Sequence, residues 1–238
     1  QLQQNNGFLP VSKPSITKKE VEYVTAAIAS GWVSSLGEYI NAFEQKFAEF
    51  CGTKYALTCS NGTTALHLAL ITLGLKPGDE VISTALTAEP TNVAIKMVGA
   101  KIRWADVDYQ TGNICPESIE KNINSRTKAI LVVDYAGVPV DVKRIQQISQ
   151  KYNIPVIEDA AHAFGSKFED KRAGNHFPFT VFSFQAIKHL TTVDGGALQI
   201  DDEQLYEKGK LIRWFGLDKK LTRLDNDIQL QGRSEERR

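Results

Sequence analysis

The first fifty residues carry a helical period. Apolar side chains recur three and four positions apart over residues 18–29, ending at Ser30-Gly31, and again over residues 39–50, ending at Gly52. The second stretch puts Phe43, Phe47 and Phe50 on one face, and Gly31-Trp32-Val33-Ser34-Ser35 between the two reads as a loop with an exposed aromatic. From Tyr55 onward the pattern alternates. Short apolar runs predict strands over 55–59, 80–83, 101–107, 129–134 and 155–157, and helical periods predict helices over 63–73, 91–98, 116–123 and 142–152. Strands that alternate with helices through short connections predict a three-layer α/β/α domain, its sheet mostly parallel and covered on both faces. The rhythm then changes: residues 179–184 and 197–200 read as two strands joined by a tight turn, followed by a helix over 205–215. That makes the predicted sheet mixed.

The polar tail from Gln231 to Arg238 has no apolar face to bury, and the chain shows no repeat and no low-complexity tract. The 238 residues, 42% apolar and 24% charged, suit one large domain or one domain with a fragment of a second. Twenty-eight basic and 28 acidic residues cancel, which leaves no electrostatic footprint for nucleic acid. No apolar run approaches the roughly 18 residues that span a bilayer, so no membrane partner is expected. The first ten residues lack the basic-then-apolar order of a signal peptide, and the missing initiator Met suggests trimmed ends. Cys51, Cys59 and Cys115 have no spacing that suggests a metal site or a disulfide framework, so no metal is expected. Cys59, in an apolar run, reads as a small buried residue, and a reducing, cytoplasmic setting is the simplest one.

In a sheet of this kind, ligands bind beyond the carboxyl ends of the strands, and three segments converge there. Ser60-Asn61-Gly62-Thr63-Thr64-Ala65-Leu66 joins a strand to its helix. Gly62 allows close backbone approach, the helix start offers free N–H groups, and Thr63 and Thr64 add hydroxyls, which together can cradle a phosphate. A plainly capped helix, with Asn61 or Thr63 as the cap, is the simpler reading of that segment alone. Val156-Ile157-Glu158-Asp159-Ala160-Ala161-His162 ends a strand in two carboxylates. Asp159 there can hold a protonated nitrogen, with Glu158 on the opposite face, or it can merely cap the next turn, and a lone His162 is commonly just a satisfied polar residue. In Phe182-Ser183-Phe184-Gln185-Ala186-Ile187-Lys188, a lysine follows an aromatic strand. A desolvated lysine forms Schiff bases; a surface lysine snorkels out.

Taken together, the three segments say more than any one of them. Pyridoxal phosphate needs a phosphate cradle, a carboxylate at its ring nitrogen and a lysine for its aldehyde. All three are present in order. At this point the segments quoted, together with Pro77-Gly78-Asp79-Glu80-Val81-Ile82, strongly resemble the DegT/StrS-type sugar aminotransferases, which are fold-type I pyridoxal-phosphate enzymes. The resemblance runs from Gly31 to Gly216. It implies that Lys188 is the catalytic Schiff-base lysine and that Asp159 pairs with the pyridine nitrogen. By the same likeness His162 lies near the cofactor's phenolic oxygen, and Gly62, Thr63, Thr64 and Ser183 hold its phosphate. The implied reaction moves an amino group, usually from glutamate, to a keto carbon of a nucleotide-diphospho-deoxysugar, at C4 in preference to C3, in a pathway such as surface polysaccharide synthesis. A homodimer is implied as well. Family members with histidine in place of the lysine dehydrate the sugar instead, and Lys188 argues against that.

Three departures stand out. Ala88 occupies the position where the family often stacks an aromatic on the pyridine ring, so another group must cover that face. Val193 replaces a usual glycine, and a β-branched residue would be strained there if the backbone needs positive φ. The family's smaller C-terminal domain is largely absent, so the chain reads as a fragment: residues 1–30 a lead segment and helix, 31–216 the cofactor-binding large domain, 217–238 the truncated start of the next. Other fold-type I activities, such as amino-acid aminotransferase or cysteine desulfurase, and a catalytically silent scaffold that binds cofactor or a partner are the alternatives.

Overall fold

A computed structural model describes residues 12–34 and 37–217. The expectations for the polar tail, the N-terminal ten residues and all but the first residue of the 217–238 segment lie outside these residues. Helix α1 (Lys18–Ser30) begins at a reciprocal cap: the Thr17 side chain accepts from the Lys19 amide, and the Glu20 carboxylate accepts from the Thr17 amide. Helix α2 (Glu38–Cys51) follows, and both helices end at a left-handed glycine, Gly31 and Gly52. Trp32 in the loop between them is exposed, as its sequence suggests.

The alternating part forms as predicted, with boundaries shifted by a residue or two: β1 (Tyr55–Cys59), α3 (Gly62–Thr72), β2 (Glu80–Thr84), α4 (Glu89–Met97), β3 (Lys101–Ala105), α5 (Pro116–Asn122), β4 (Thr127–Val133), α6 (Val142–Tyr152) and β5 (Val156–Asp159). A small hairpin of β6 (Lys167–Phe168) and β7 (Lys171–Arg172) comes next; two-residue strands carry no period for a sequence pattern to reveal. Then come β8 (Phe179–Ser183), β9 (Gly196–Ile200) and α7 (Glu203–Arg213).

Seven strands form one sheet in the order β1-β9-β8-β5-β4-β2-β3. Strands β2, β3, β4, β5 and β8 run parallel, and β9 runs antiparallel to both its neighbours, β8 and β1. The predicted tight turn between β8 and β9 is corrected here: residues 184–195 separate them. Ser183 pairs with Gly196 and the Phe184 amide donates to the Gly195 carbonyl at 2.8 Å, so the strands close as a hairpin while the loop carries Lys188 outward.

Central strands are apolar on both faces. In β4, Ala129 and Leu131 join the layer packed by α3, whereas Ile130 and Val132 join the layer packed by α6. That two-sided burial is why its sequence reads as a continuous apolar run. A third cluster docks α2: Phe47 stacks on Phe43 and Phe164 and meets Phe182 and Phe184 edge-on. This aromatic block fixes the end of β8. Burial pushes the Cys51 thiol up to about 11 and the Cys59 thiol up to about 12, so both stay protonated. Among the described residues no helix is long and apolar enough to cross a membrane.

The aromatic block gives a direct stability contrast. Phe47→Ala removes a buried ring with four ring partners and should cost about 3–5 kcal/mol in urea unfolding. Phe50→Ala, which loses a half-exposed ring stacked on Phe164 and beneath Arg172, should cost about 1 kcal/mol.

Candidate active site

Parallel strands deliver their carboxyl ends to one edge of the sheet, and the chemistry gathers there. At the end of β1, Asn61 caps α3: its Oδ1 accepts from the Thr64 amide at 2.8 Å, and the Thr64 hydroxyl accepts from the Asn61 amide at 3.2 Å. The amides of the first turn have no carbonyl four residues back, so the helix start presents donors and partial positive charge. Gly62 lies against the end of β8, where an added Cβ would come within 3.1 Å of Ser183 Cβ. At Gly196 an added Cβ would sit 2.5 Å from the Asn61 carbonyl. At Gly196 no side chain fits against the helix start, so there backbone meets backbone, and Gly62 packs closely on Ser183.

Asp159 ends β5 and is buried. Its Oδ2 accepts from Thr91 Oγ1 at 2.7 Å, and its Oδ1 accepts from the Ala161 amide at 3.1 Å. Because Thr91 donates to the carboxylate, its oxygen is left to accept from Thr87 Oγ1, 2.8 Å away. Burial holds the Asp159 carboxyl above the ordinary carboxylate range, and Thr91, the Ala161 amide, Lys188 and His162 oppose that push without cancelling it. Glu158 turns to the other face, where it accepts from Thr180 and Gly174.

Lys188 sits in the loop after β8, half-buried. Burial pulls its ammonium below the ordinary lysine range, and Asp159 opposes that shift. His162 is also pulled down, first by burial and then by the charge of Lys188. The loop is tightly held: the Thr191 hydroxyl and Thr192 amide both donate to the Phe184 carbonyl at 3.0 Å, and Thr192 Oγ1 donates to the Asp194 carbonyl at 2.6 Å. Val193, between them, has φ 75° and is 82% exposed. The backbone does need the left-handed region at the position where glycine is usual, and a valine there stores strain of about 1–3 kcal/mol.

A cavity of about 410 Å³ is lined by Gly62, Thr63, Asp159, His162, Ser183 and Lys188 together. Of the residues singled out from the sequence, Thr64 alone is not in the lining; its hydroxyl belongs to the helix cap. Thr87, Thr91, Tyr135, Gln185 and Asp194 line the cavity without having been foreseen. Ala88 lines the cavity beside Pro90, and the phenol ring in the lining is that of Tyr135. Tyr135 is lodged against Gly112, where an added Cβ would lie 2.9 Å from its ring.

This set of donors fits pyridoxal phosphate. An amine with a lowered pKa, a buried carboxylate with its own donors and a helix start without room for a side chain share one cavity.

Comparison with known proteins agrees. The sequence model of the DegT/DnrJ/EryC1/StrS aminotransferase family matches residues 14–232. The chain is 44% identical over 201 residues to the GDP-perosamine synthase of Escherichia coli O157:H7, covering 84% of this chain and 55% of that protein. It is 40% identical over 218 residues to the spore coat polysaccharide biosynthesis protein SpsC of Bacillus subtilis (strain 168), covering 92% of this chain and 56% of that one. The chain thus spans about half the length of the curated relatives it matches. Among solved structures, DesI in the presence of its TDP-sugar product superposes with a TM-score of 0.84 at 29% identity, covering 89% of this chain and 54% of that one. The PLP-form of the sugar aminotransferase Spr1654 from Streptococcus pneumoniae gives a TM-score of 0.80 at 31% identity, covering 85% of this chain and 57% of that one.

The strained loop yields a test. Val193→Gly relieves the left-handed valine but adds unfolded-state entropy, so a net gain of about 1 kcal/mol in unfolding free energy is expected. A loss of stability would show that the loop is not held in this conformation.

Proposed function

Because the chain belongs to the DegT/DnrJ/EryC1/StrS aminotransferase family, we propose that the protein is a pyridoxal-phosphate aminotransferase acting on a nucleotide-diphospho-deoxysugar. It moves an amino group from glutamate to a keto carbon of that sugar, at C4. The observation that carries this reading is the meeting of Lys188, Asp159 and the start of α3 around one cavity. The name of the perosamine synthase and the TDP-sugar product with which DesI was solved support the nucleotide-sugar class.

The chain's own residues divide the work. Lys188 holds the cofactor's aldehyde, and its lowered pKa leaves a larger fraction of free amine to attack. Once free, the same amine would serve as the general base that takes the proton from the substrate carbon bearing the nitrogen. Asp159, whose charged form is favoured by the donors Thr91 and the Ala161 amide, would pair with the ring nitrogen and hold a proton there. The cofactor, when bound, would supply the electron sink for the loss of the proton from the substrate carbon. Gly62, Thr63 and Ser183 line the end that takes the phosphate, with Thr64 completing the helix cap behind them. His162 adjoins the phenolic oxygen.

In the whole protein, residues 31–216 form the cofactor-binding domain, and a C-terminal domain and a second subunit close the site, in the cytoplasm. Val24, Ile28 and Trp32 are exposed here and supply apolar surface for such contacts. A silent scaffold is disfavoured, since Lys188, Asp159 and Ser183 all line the cavity.

Adding pyridoxal phosphate to the protein should produce a visible absorption band, and borohydride reduction should fix the cofactor on Lys188 by mass spectrometry. Lys188→Ala should abolish both; attachment at another residue would refute the site. Thr91→Val removes a charge-assisted donor from Asp159 and should weaken cofactor binding about tenfold, read by titrating that band. Full-length protein given glutamate and a panel of 4-keto deoxysugar nucleotides should release aminosugar. Turnover of amino and keto acids alone would sink the sugar assignment.

A further inference from the structure

On the face of β5 opposite the cavity lies a group of ionisable side chains that the reaction does not touch. Glu158 is fully buried there. Its Oε2 accepts from Thr180 Oγ1 at 2.7 Å and from the Gly174 amide at 3.2 Å, and its Oε1 lies 3.4 Å from His176 Nδ1. Asp134, just past the end of the neighbouring strand β4, is equally buried. Its Oδ1 accepts from the Val140 amide at 3.1 Å. Its Oδ2 is sealed from solvent, and no donor among the described residues reaches it. In the β4–β5 register Val132 lies opposite Glu158, which puts Asp134, two residues further on, on the same face of the sheet as Glu158 and diagonally next to it. Two facing carboxylates in a dry interior repel unless a proton lies between them, and one proton would give the orphaned oxygen its bond.

We propose that Asp134 is protonated in the folded protein and donates from Oδ2 to Glu158, forming an acid pair that ties the ends of β4 and β5 together directly behind Asp159. Glu158 then accepts from Asp134 as well as from Thr180 and Gly174. The Asp134 amide also donates to the Asp159 carbonyl at 3.1 Å, so both residues of the Glu158–Asp159 step are anchored to β4. Asp134 is thus a positioning residue. Its neutrality spares Asp159 a second unscreened negative neighbour. The titratable group on its own face is Glu158, from β5, with His176 beyond it, while Asp159 acts on it by charge from the opposite face. Burial, and then the charges of Glu158 and Asp159, hold the Asp134 carboxyl well above the usual carboxylate range, in keeping with the geometry. The benefit to the ring nitrogen rests on the role proposed for Asp159. The acid pair itself does not, and it can be read without cofactor.

The linkage has a definite sign. The unfolded chain releases the Asp134 proton above about pH 4 while the folded protein retains it. Its contribution to stability is therefore full in acid and is lost as pH rises toward the folded-state value. Asp134→Asn keeps an acceptor for Val140 and a donor for Glu158 but does not titrate. In cofactor-free full-length protein, the urea midpoint of Asp134→Asn should climb relative to wild type as pH goes from about 4 to 8. The infrared spectrum of wild type at neutral pH should contain a buried protonated-carboxyl band that Asp134→Asn lacks. Should that variant not fold, Glu158→Gln removes the same band by supplying Oδ2 with an N–H donor. A midpoint gap that stays flat or narrows with pH, or a band unchanged by both substitutions, overturns the proposal.

Discussion

Burial at the end of a strand pushes a carboxyl towards its neutral form, and this site is arranged around the groups that oppose that push at Asp159. The Thr91 hydroxyl reaches it from α4, the Ala161 amide from the turn after β5, and the charge of Lys188 from the loop after β8. These groups arrive from separate parts of the chain because the parallel run of β2, β4, β5 and β8 sends every carboxyl end to the same edge. The topology gathers the groups, and the hydrogen bonds decide which charge state survives there.

The loop that brings Lys188 is held from both ends. Backbone bonds at Phe184 and Gly195 close it, three hydrogen bonds from Thr191 and Thr192 fold it inward, and the aromatic block on α2 fixes the strand it leaves. Such over-determination is what allows Val193 to persist at positive φ. The lysine is pulled from the ordinary range by burial rather than by a like charge, so its amine is tuned by the walls of the cavity.

Much of this was legible beforehand. Apolar runs and helical periods give every long element to within a few residues, since two-sided burial of β4 and one-sided burial of α6 impose different periods. Asp159, Gly62 and Thr63 could be named because they end a strand or start a helix and Lys188 because it follows an aromatic strand, whereas His162 and Ser183 came only through the family resemblance. What stayed hidden depended on reach rather than period. The 12 residues at 184–195 looked like a tight turn because the strands they join do pair in register. Tyr135 enters the cavity from a single helical turn past β4, and Asp134 faces Glu158 only once β4 and β5 pair. Thr64 is the converse case, a hydroxyl in a phosphate-like motif whose bonds in the structure belong to the helix cap.

The central claim is that Asp159 and Lys188 flank a single ring and that Asp159 keeps the ring nitrogen protonated. A nitrogen-15 spectrum of the protein loaded with ring-labelled pyridoxal phosphate reads that proton directly. A protonated pyridine shift in wild type that reverts to the unprotonated value in Asp159→Asn is the predicted result. An identical nitrogen shift in the two proteins would contradict the account.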